Sequence, residues 1–482
     1  MTGILISIDL GTTRLKVAAF SVDGTLHEQR HRRHREHGRG GTRWQDPDAW
    51  WQDTVDLVRE VRSLVEVRLG LVDALGLSLS GRGGAAIFAD ADGNVLIPPW
   101  SDERHAGEQA RLRRHYRDAL APYAAALLAK CVWLRAEAPD VFRRARYAFY
   151  AKDFLLYRLT GVHCTDWSSG PDGPRWPAGV LAELGLTESL LPRPALPWQI
   201  AGHLTPEAAR CLDLPEGTPV AVGAHDGVCA NIGAGACRPG DYAITLGTHA
   251  VVRAVAEQTA PGARRFYCLP ETRQVVGGNA LMGGRATDWF LDLLGASETS
   301  RETAFAELEA AARGVAPGAG GVRFLPYLGG QVAPERRTAA RATWAGLSIE
   351  HGRDEAYRSV LEGVAFAVEG VFGQVLGWCG EPRRIRVTGG GARSDLWVDI
   401  LAAVLGRPLE LADAAAEGRG AAMLLAVGLG RFDDLDAAAD ALVQLDRRVE
   451  PAPELSAAYR RLGADWKRLD DAVRGYEPSF DG

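Results

Sequence analysis

Three short stretches of this chain carry residue types suited to holding phosphate, and one residue is placed to take a proton. Asp9-Leu10-Gly11-Thr12-Thr13 follows the apolar run Ile4–Ile8, and Leu246-Gly247-Thr248-His249 follows Ile244-Thr245. Each reads as a strand, a Gly-Thr turn and a second strand, at Leu15–Phe20 and Ala250–Val252. Glycine lets a backbone approach a ligand closely, turn amides donate to anionic oxygens, and threonine adds a hydroxyl. Lys16 adds a positive charge just past the first turn. The third stretch, Gly389-Gly390-Gly391-Ala392-Arg393-Ser394, joins a strand at Ile385–Val387 to a helix at Asp395–Leu405. A helix N-terminus is itself an anion site. Asp226 stands between His225 and Gly227 after a strand at Pro219–Val222. A carboxylate there is either an acid/base or the cap of the next helix, and position alone leaves both open. Asp9 also ends a strand beside a phosphate-type turn, where it can hold a Mg²⁺-bound water.

Other phosphate and nucleophile sites are excluded. A Walker A loop needs Gly-Lys, and the four lysines follow Leu15, Ala129, Ala151 and Trp466. There is no strict Gly-x-Gly-x-x-Gly, no Gly-x-Ser-x-Gly and no helical zinc motif.

The elements that position these groups follow from the pattern. Strands are expected at Ile4–Ile8, Leu15–Phe20 and Leu75–Leu79, with Asp23-Gly24 as a hairpin turn. Asp48–Val67 reads as a helix, and residues 103–160 read as helices that stop at Gly161. Six prolines between Pro171 and Pro197 mark a loop-rich insertion. Tyr357, Val360, Leu361, Val364, Val368 and Val371 share one face of a core helix, and Glu454–Val473 closes the chain as a helix. The two Leu-Gly-Thr turns lie about half the chain apart in the same strand–turn–strand context, the mark of a duplicated domain. A phosphate turn in each half suggests a nucleotide clamped between two domains.

The bulk composition agrees. A length of 482 residues allows two to four domains. The net charge of −6 argues against nucleic acid as a partner. Seven cysteines, with no Cys-x-x-Cys pair, point to a reducing compartment. No uninterrupted apolar run approaches the ~18 residues of a membrane span, and the first residues lack the basic start of a signal peptide. The expectation is a cytoplasmic protein with small-molecule ligands and no membrane partner. His27–Arg43 holds four of the eleven histidines among many arginines. It is read as a solvated edge strand and loop rather than a metal or anion site.

Taken together and in order, these residues resemble the FGGY carbohydrate kinases, a family that includes xylulokinases, gluconokinases and glycerol kinases. Ile8–Lys16 resembles the first phosphate motif of that family and Leu246-Gly247-Thr248 the second. Trp44–Trp51, Trp100–Arg104, Lys152-Asp153, Thr165-Asp166, Phe324–Leu328 and Glu362–Phe366 also match. The resemblance implies an α/β fold of two duplicated ribonuclease H-like domains, of the actin and Hsp70 type, with an interdomain cleft. Residues 1–240 would bind the sugar and 241–482 the nucleotide. ATP and Mg²⁺ would be the cofactors, and a homodimer is common among such proteins. Asp226 would be the general base. Gly11, Thr12, Thr13, Lys16, Gly247 and Thr248 would hold the phosphates, with Gly284, Gly390, Gly391 and Ser394 on the adenosine side. Asp9 would orient Mg²⁺, and Trp100, Asp102 and His225 would face the sugar.

Gly81-Arg82-Gly83-Gly84-Ala85 departs from that pattern, because xylulokinases have Gly-Gln-Met-His-Gly there. Two substrate-facing side chains are missing and Arg82 is gained. The pocket is then wider, or Arg82 meets an anionic group such as a carboxylate, or Arg82 makes a structural ion pair. Gln331 and His249 also stand where other residues are usual. The expected activity is phosphorylation of a small sugar, a ketopentose foremost, with an aldonate or a polyol as alternatives. A non-catalytic sugar and ATP sensor and an Hsp70-like ATPase are the rivals from other classes.

Overall fold

The computed structural model describes residues 2–39, 42–100, 104–116, 119–268, 273–297, 299–412 and 415–476. Two compact units result. The first comprises Met1–Cys237, Phe266–Arg273 and Ala415–Val443, and the second Arg238–Arg265, Gln274–Ala414 and Gln444–Gly482.

In the first unit, the apolar residues Ile4, Leu5, Ile6 and Ile8 bury β1 (Thr2–Leu10) at the centre of a sheet. β2 (Arg14–Ser21) returns antiparallel through the Gly-Thr turn, and β3 (Leu26–Arg33) pairs with β2 at the edge. Helix α1 (Pro47–Leu69) begins where the Asp46 side chain accepts the Asp48 amide and Pro47 fills the first turn. It buries Trp50, Val55, Val58, Val61 and Val65. β4 (Val72–Gly81) then runs parallel to β1. α2 (Pro122–Glu137) and α3 (Ala151–Thr160) follow, and α3 stops at Gly161 in the left-handed conformation. β5 (Ile200–His203) and β6 (Pro219–His225) complete the order β5-β6-β4-β1-β2-β3, and α4 (Asp226–Gly233) leaves from the end of β6.

The second unit repeats this plan. β7 (Asp241–Leu246) forms a hairpin with β8 (Ala250–Ala256), and β9 (Gln274–Asn279) pairs antiparallel with β8. After α5 (Gly284–Leu293) and α6 (Arg353–Cys379), β10 (Arg384–Thr388) runs parallel to β7. Past α7 (Asp395–Leu405), β11 (Leu409–Ala412) is parallel to β10. The edge strand β12 (Leu445–Val449) is antiparallel to β11, as β5 is to β6. Apart from one extra edge strand, Arg265–Cys268 beside β9, the same strand order occurs twice, which is the duplication that the Leu-Gly-Thr repeat predicts.

The units are not simple halves of the chain. Helix α8 (Ala416–Gly428) follows β11 as α4 follows β6, yet it belongs to the first unit and packs on α4 and β1. Glycine makes that packing possible. A Cβ on Gly233 would lie 1.8 Å from the Ala416 carbonyl, and one on Gly420 2.0 Å from the Cys229 carbonyl. Helix α9 (Pro453–Val473) sets Trp466 into the core of the second unit.

Two local expectations are corrected. The stretch 103–160 contains a strand, Tyr147–Tyr150, whose aromatic residues pair with Ala86–Ala89. The proline-rich stretch contains a short helix, Ala178–Leu184. α6 is long and apolar enough to cross a membrane by length and composition, but 67% of its apolar window is buried inside the protein. It is a core helix that contributes Tyr357, Val360, Leu361, Val364 and Val368 to the second unit's core.

Candidate active site

Parallel register brings three strand ends of the first unit together. Asp9 and Leu10 on β1 lie opposite Ser80 and Gly81 on β4, and His225 on β6 also lies opposite Gly81. Ligands bind beyond the carboxyl ends of parallel strands, because the chain leaves the sheet there and exposes its loops. Asp9 is buried, and its Oδ1 accepts the Ser80 hydroxyl at 2.8 Å. Its Oδ2 is 3.3 Å from Nζ of Lys16, its cross-strand neighbour on β2. Lys16 also reaches Glu417 Oε2 of α8 at 3.7 Å. Asp9 is the main cause that raises the Lys16 pKa well above its ordinary value, outweighing burial, with Glu417 and Asp226 adding to it. Burial pushes the Glu417 carboxyl up, and Lys16 holds that rise back.

The first Gly-Thr turn is tied down from behind. The Gly11 amide donates to the Arg14 carbonyl at 3.0 Å. The Thr12 carbonyl accepts from Gln45 Nε2 at 3.2 Å and from Arg82 at 3.1 Å. His34 holds the other side: its amide donates to the Thr13 carbonyl, and its Nε2 is 3.1 Å from the Gly11 carbonyl. Burial depresses the His34 pKa. The side chains of Thr12 and Thr13 are exposed, and among the described residues nothing accepts their amides. The carbonyls are therefore anchored and the donors face outward, which is what an anion cradle requires.

Arg82 stands behind the same turn. Its guanidinium donates to the Thr12 carbonyl and to Gln45 Oε1 at 3.0 Å, and it lies 5.4 Å from the centre of the Trp50 ring. No carboxylate among the described residues pairs with it. These bonds brace the turn, a contact that the sequence reading did not include. The His/Arg-rich stretch is the edge strand β3 together with the hairpin Glu36–Arg39 and Thr42–Gln45. Among the described residues no cluster of three His, Cys, Asp or Glu is placed to hold a metal.

Asp226 is the first residue of α4, and the helix is capped by its neighbour. Nδ1 of His225 accepts the Gly227 amide at 3.0 Å. The capping role considered for Asp226 thus falls to His225. The Asp226 carboxylate, 3.0 Å from the same Nδ1, keeps 29% of its side chain exposed. A buried chain fixes this strand end. The His225 amide donates to Ser168 Oγ at 3.0 Å, Ser168 donates to Asp166, and Asp166 Oδ1 is 2.9 Å from Lys152 Nζ. Burial alone would lower the Lys152 pKa, but Asp153 and Asp166 raise it above its usual value. Burial pushes Asp153 up to about 6. For Asp166, burial is outweighed by Lys152 and Ser168, and its pKa falls below the usual carboxylate range.

The His225 ring packs against two tyrosines. The Tyr123 ring of α2 stacks on it at 4.5 Å, and the Tyr267 ring is 4.8 Å away. A Cβ on Gly83 would lie 2.4 Å from the Tyr123 ring, and one on Gly227 1.9 Å from the Tyr267 hydroxyl. Trp100 is buried, donates its indole N–H to His105 Nδ1 at 3.2 Å, and has Lys130 Nζ 4.6 Å from its ring centre. Asp102 lies outside the described residues.

In the second unit the Gly247-Thr248 turn is closed by the Gly247 amide on the His249 carbonyl at 3.1 Å. The start of α5 docks on it: the Gly284 amide donates to the Gly247 carbonyl at 2.7 Å and the Arg285 amide to the Thr248 carbonyl at 3.1 Å. The Thr248 side chain is exposed, and nothing among the described residues accepts its amide. Burial, with Arg285, depresses the His249 pKa. The parallel pairing of β7 and β10 sets the triple-glycine turn beside this one. A Cβ on Gly391 would lie 2.8 Å from Trp397 and 2.9 Å from Leu246, whereas Gly390 meets only open space. Ser394 is buried: its hydroxyl caps α7 by accepting the Trp397 amide at 3.0 Å and donates to Glu309. A cavity of about 280 Å³ opens here, with Gly389, Arg393, Asp395 and Arg447 among its walls.

The sequence did not single out Ser80, Ser168, Tyr123, Tyr267 or Glu417, and Gln45 entered only as part of the matched Trp44–Trp51 segment. Ser80 carried a signal, since it directly precedes the glycine turn of β4. Tyr123 and Tyr267 carried none, being far from the motifs in sequence.

The N-terminal domain model of the FGGY family of carbohydrate kinases matches residues 4–233, and the C-terminal domain model of the same family matches residues 242–429. The chain is 27% identical over 491 residues to a gluconokinase of Bacillus subtilis (strain 168), covering 96% of this chain and 94% of that protein. It is 25% identical over 487 residues to a xylulose kinase of the same organism, covering 96% of each. The solved gluconate kinase from Lactobacillus acidophilus superposes with a TM-score of 0.85 at 22% identity over 98% of both chains, a likeness of fold. Since the two domain models follow one another over most of the chain, it belongs to the FGGY family of carbohydrate kinases, enzymes that transfer phosphate from ATP to a sugar.

Proposed function

We propose that this enzyme phosphorylates a hydroxyl of a small ketose, a ketopentose foremost, with Asp226 as the general base. The observation that carries the reading is the Asp226 carboxylate itself. It is released from helix capping by His225, partly exposed, and lies at the same carboxyl ends of the parallel strands as the Thr12-Thr13 turn. The base takes the acceptor hydroxyl's proton as its oxygen bonds to the γ-phosphorus, and the bond to the β-phosphate oxygen breaks to leave ADP.

The outward amides and hydroxyls of Thr12, Thr13 and Thr248 are the phosphate donors in this reading. Lys16 is held by Asp9 and Glu417 and contributes its charge there. Residues 1–240 take the acceptor, and 241–482 take the nucleotide, with Gly284, Gly390 and Gly391 on the adenosine side. Ser394 acts indirectly, by capping the helix behind the triple-glycine turn. The donor set fits a Mg²⁺ ion carried mostly by phosphates and water, since Asp9 is a buried carboxylate and no group of three His, Cys, Asp or Glu surrounds it among the described residues. When bound, the ion would neutralise phosphate charge. Trp100 shapes the acceptor side from within the core. The free thiols of Cys131, Cys164, Cys211, Cys229 and Cys379 go with a cytoplasmic location.

Relatives named for gluconate and for xylulose are almost equally similar, so both acceptors belong in the test. The ketose reading leads because two nitrogens of the Arg82 guanidinium, a candidate partner for an aldonate carboxylate, already donate to Thr12 and Gln45. The test is coupled ADP release across pentuloses, hexuloses, polyols and aldonates, with an Asp226→Asn variant alongside. Turnover with a sugar, lowered ~10²–10⁴-fold in the variant, is expected. Near-normal turnover in Asp226→Asn overturns the base assignment, and ADP release independent of any sugar overturns the kinase reading.

A further inference from the structure

We propose that Tyr123 is the specificity-determining residue of the acceptor pocket, filling the volume that the glycine-rich end of β4 leaves empty. The proposal rests on the acceptor site assigned to Asp226 above. Gly81-Arg82-Gly83-Gly84-Ala85 offers one long side chain, and the Arg82 guanidinium donates to Thr12 and Gln45. On side-chain content alone, the pocket beside Asp226 is wide. The structure closes it from another direction. Tyr123, on α2, brings its ring to where a Cβ on Gly83 would be only 2.4 Å from it, so the ring in this position requires glycine at 83. The ring stacks on His225, the residue before the base, at 4.5 Å with 29° between planes. Tyr267 backs the same histidine from the segment Phe266–Arg273 and lies nearly parallel to Tyr123, with 6° between planes. The Tyr150 hydroxyl donates to the Tyr123 carbonyl at 3.2 Å, which fixes the backbone that carries the ring.

Such a wall selects in two ways. It takes up space, so the acceptor must be compact. Its ring faces are electron-rich, so they accept C–H groups and disfavour a carboxylate. The acceptor class that follows is a short, uncharged ketose. An aldonate meets the wrong electrostatics, and a bulkier hexulose meets the ring.

The test is a set of kcat/KM ratios, hexulose over pentulose and aldonate over pentulose, for four proteins. Tyr123→Ala is expected to raise the hexulose ratio about tenfold or more, the scale at which pocket volume discriminates. Tyr123→Phe should keep the wild-type ratios. Gly83→Met alone should raise KM for every acceptor, because its side chain meets the ring. Adding Tyr123→Ala to Gly83→Met should restore KM. Tm measured on all four proteins separates a pocket effect from misfolding: the KM changes are expected with Tm held, and a KM change that only follows a fall and recovery of Tm overturns the proposal. Unchanged ratios in Tyr123→Ala, in an enzyme that still requires Asp226 for sugar turnover, overturn this proposal and leave the reading beneath it standing. A wild type that phosphorylates no sugar overturns both.

Discussion

Asp9 and Lys16 face each other across the first hairpin, 3.3 Å apart, and a third charge, Glu417, reaches the same lysine from a helix some 400 residues later in the chain. The lysine just past the phosphate turn in sequence thus belongs to a charge cluster with two acids. Lys16→Met should leave Asp9 and Glu417 without their cation. The expected result is a lower Tm together with a higher KM for ATP. An unchanged KM for ATP would show that the cluster is purely structural.

Arg82→Gln tests the bracing role. It removes the donor to the Thr12 carbonyl and loosens the turn. KM for ATP should rise, while the preference between ketoses and aldonates stays as in the wild type. A selective loss of aldonates would restore the anion reading.

Ser168→Ala breaks the buried chain that ends at the His225 amide. The amide and Asp166 both lose a partner, at a cost of about 1–3 kcal/mol in unfolding free energy. Because this amide sets the strand end that carries Asp226, kcat should fall while KM for ATP holds. The pair of measurements is urea unfolding and steady-state kinetics.

Acid stability should depend on His163. Its Nε2 lies 3.1 Å from the Ala148 carbonyl, Tyr147 and Phe149 pack on its ring, and burial pushes its pKa down to about 4. The folded state therefore binds this proton less tightly than the unfolded state, whose histidine titrates near 6.5. Stability is fully present above about 6.5 and falls as pH drops from there toward 4, by at most about 3 kcal/mol. Asp153, raised to about 6, works in the opposite sense between about 4 and 6. Unfolding of the wild type and of His163→Asn from pH 4 to 7 isolates the histidine. The variant should show a flatter acid slope, and identical slopes would sink the assignment.

Gly420→Ala probes the crossing of α4 and α8. The new methyl meets the Cys229 carbonyl at 2.0 Å, and backbone cannot yield as a side-chain tip can. A loss of about 3 kcal/mol is expected. An unshifted Tm would mean that the two helices separate freely.

Much of this was legible in the sequence because it is local. The Gly-Thr turns, the strands around them and the stretch around Asp226 occupy short contiguous runs, and the repeat of Leu-Gly-Thr pointed to a duplicated domain. What was not legible is what comes from afar. Tyr123 reads as one more residue of an alanine-rich helix, and only the stacking on His225 gives it meaning. Arg82 was visible as a departure, but its direction is set by Gln45 and Trp50, which belong to another stretch. The strand Tyr147–Tyr150 was hidden by helical neighbours, because four residues are too few to display a period.

The placement of α8 reaches back to the order of synthesis. A nascent chain that has emerged from the ribosome as far as Cys237 has all six strands of the first sheet, but not Glu417 for Lys16, nor the helix that meets Gly233. Those arrive only with residues 415–443, after the whole second sheet but its last strand has been made. The first unit to begin folding is therefore completed late, and the second repeat cannot be removed by truncation without taking a wall from the first.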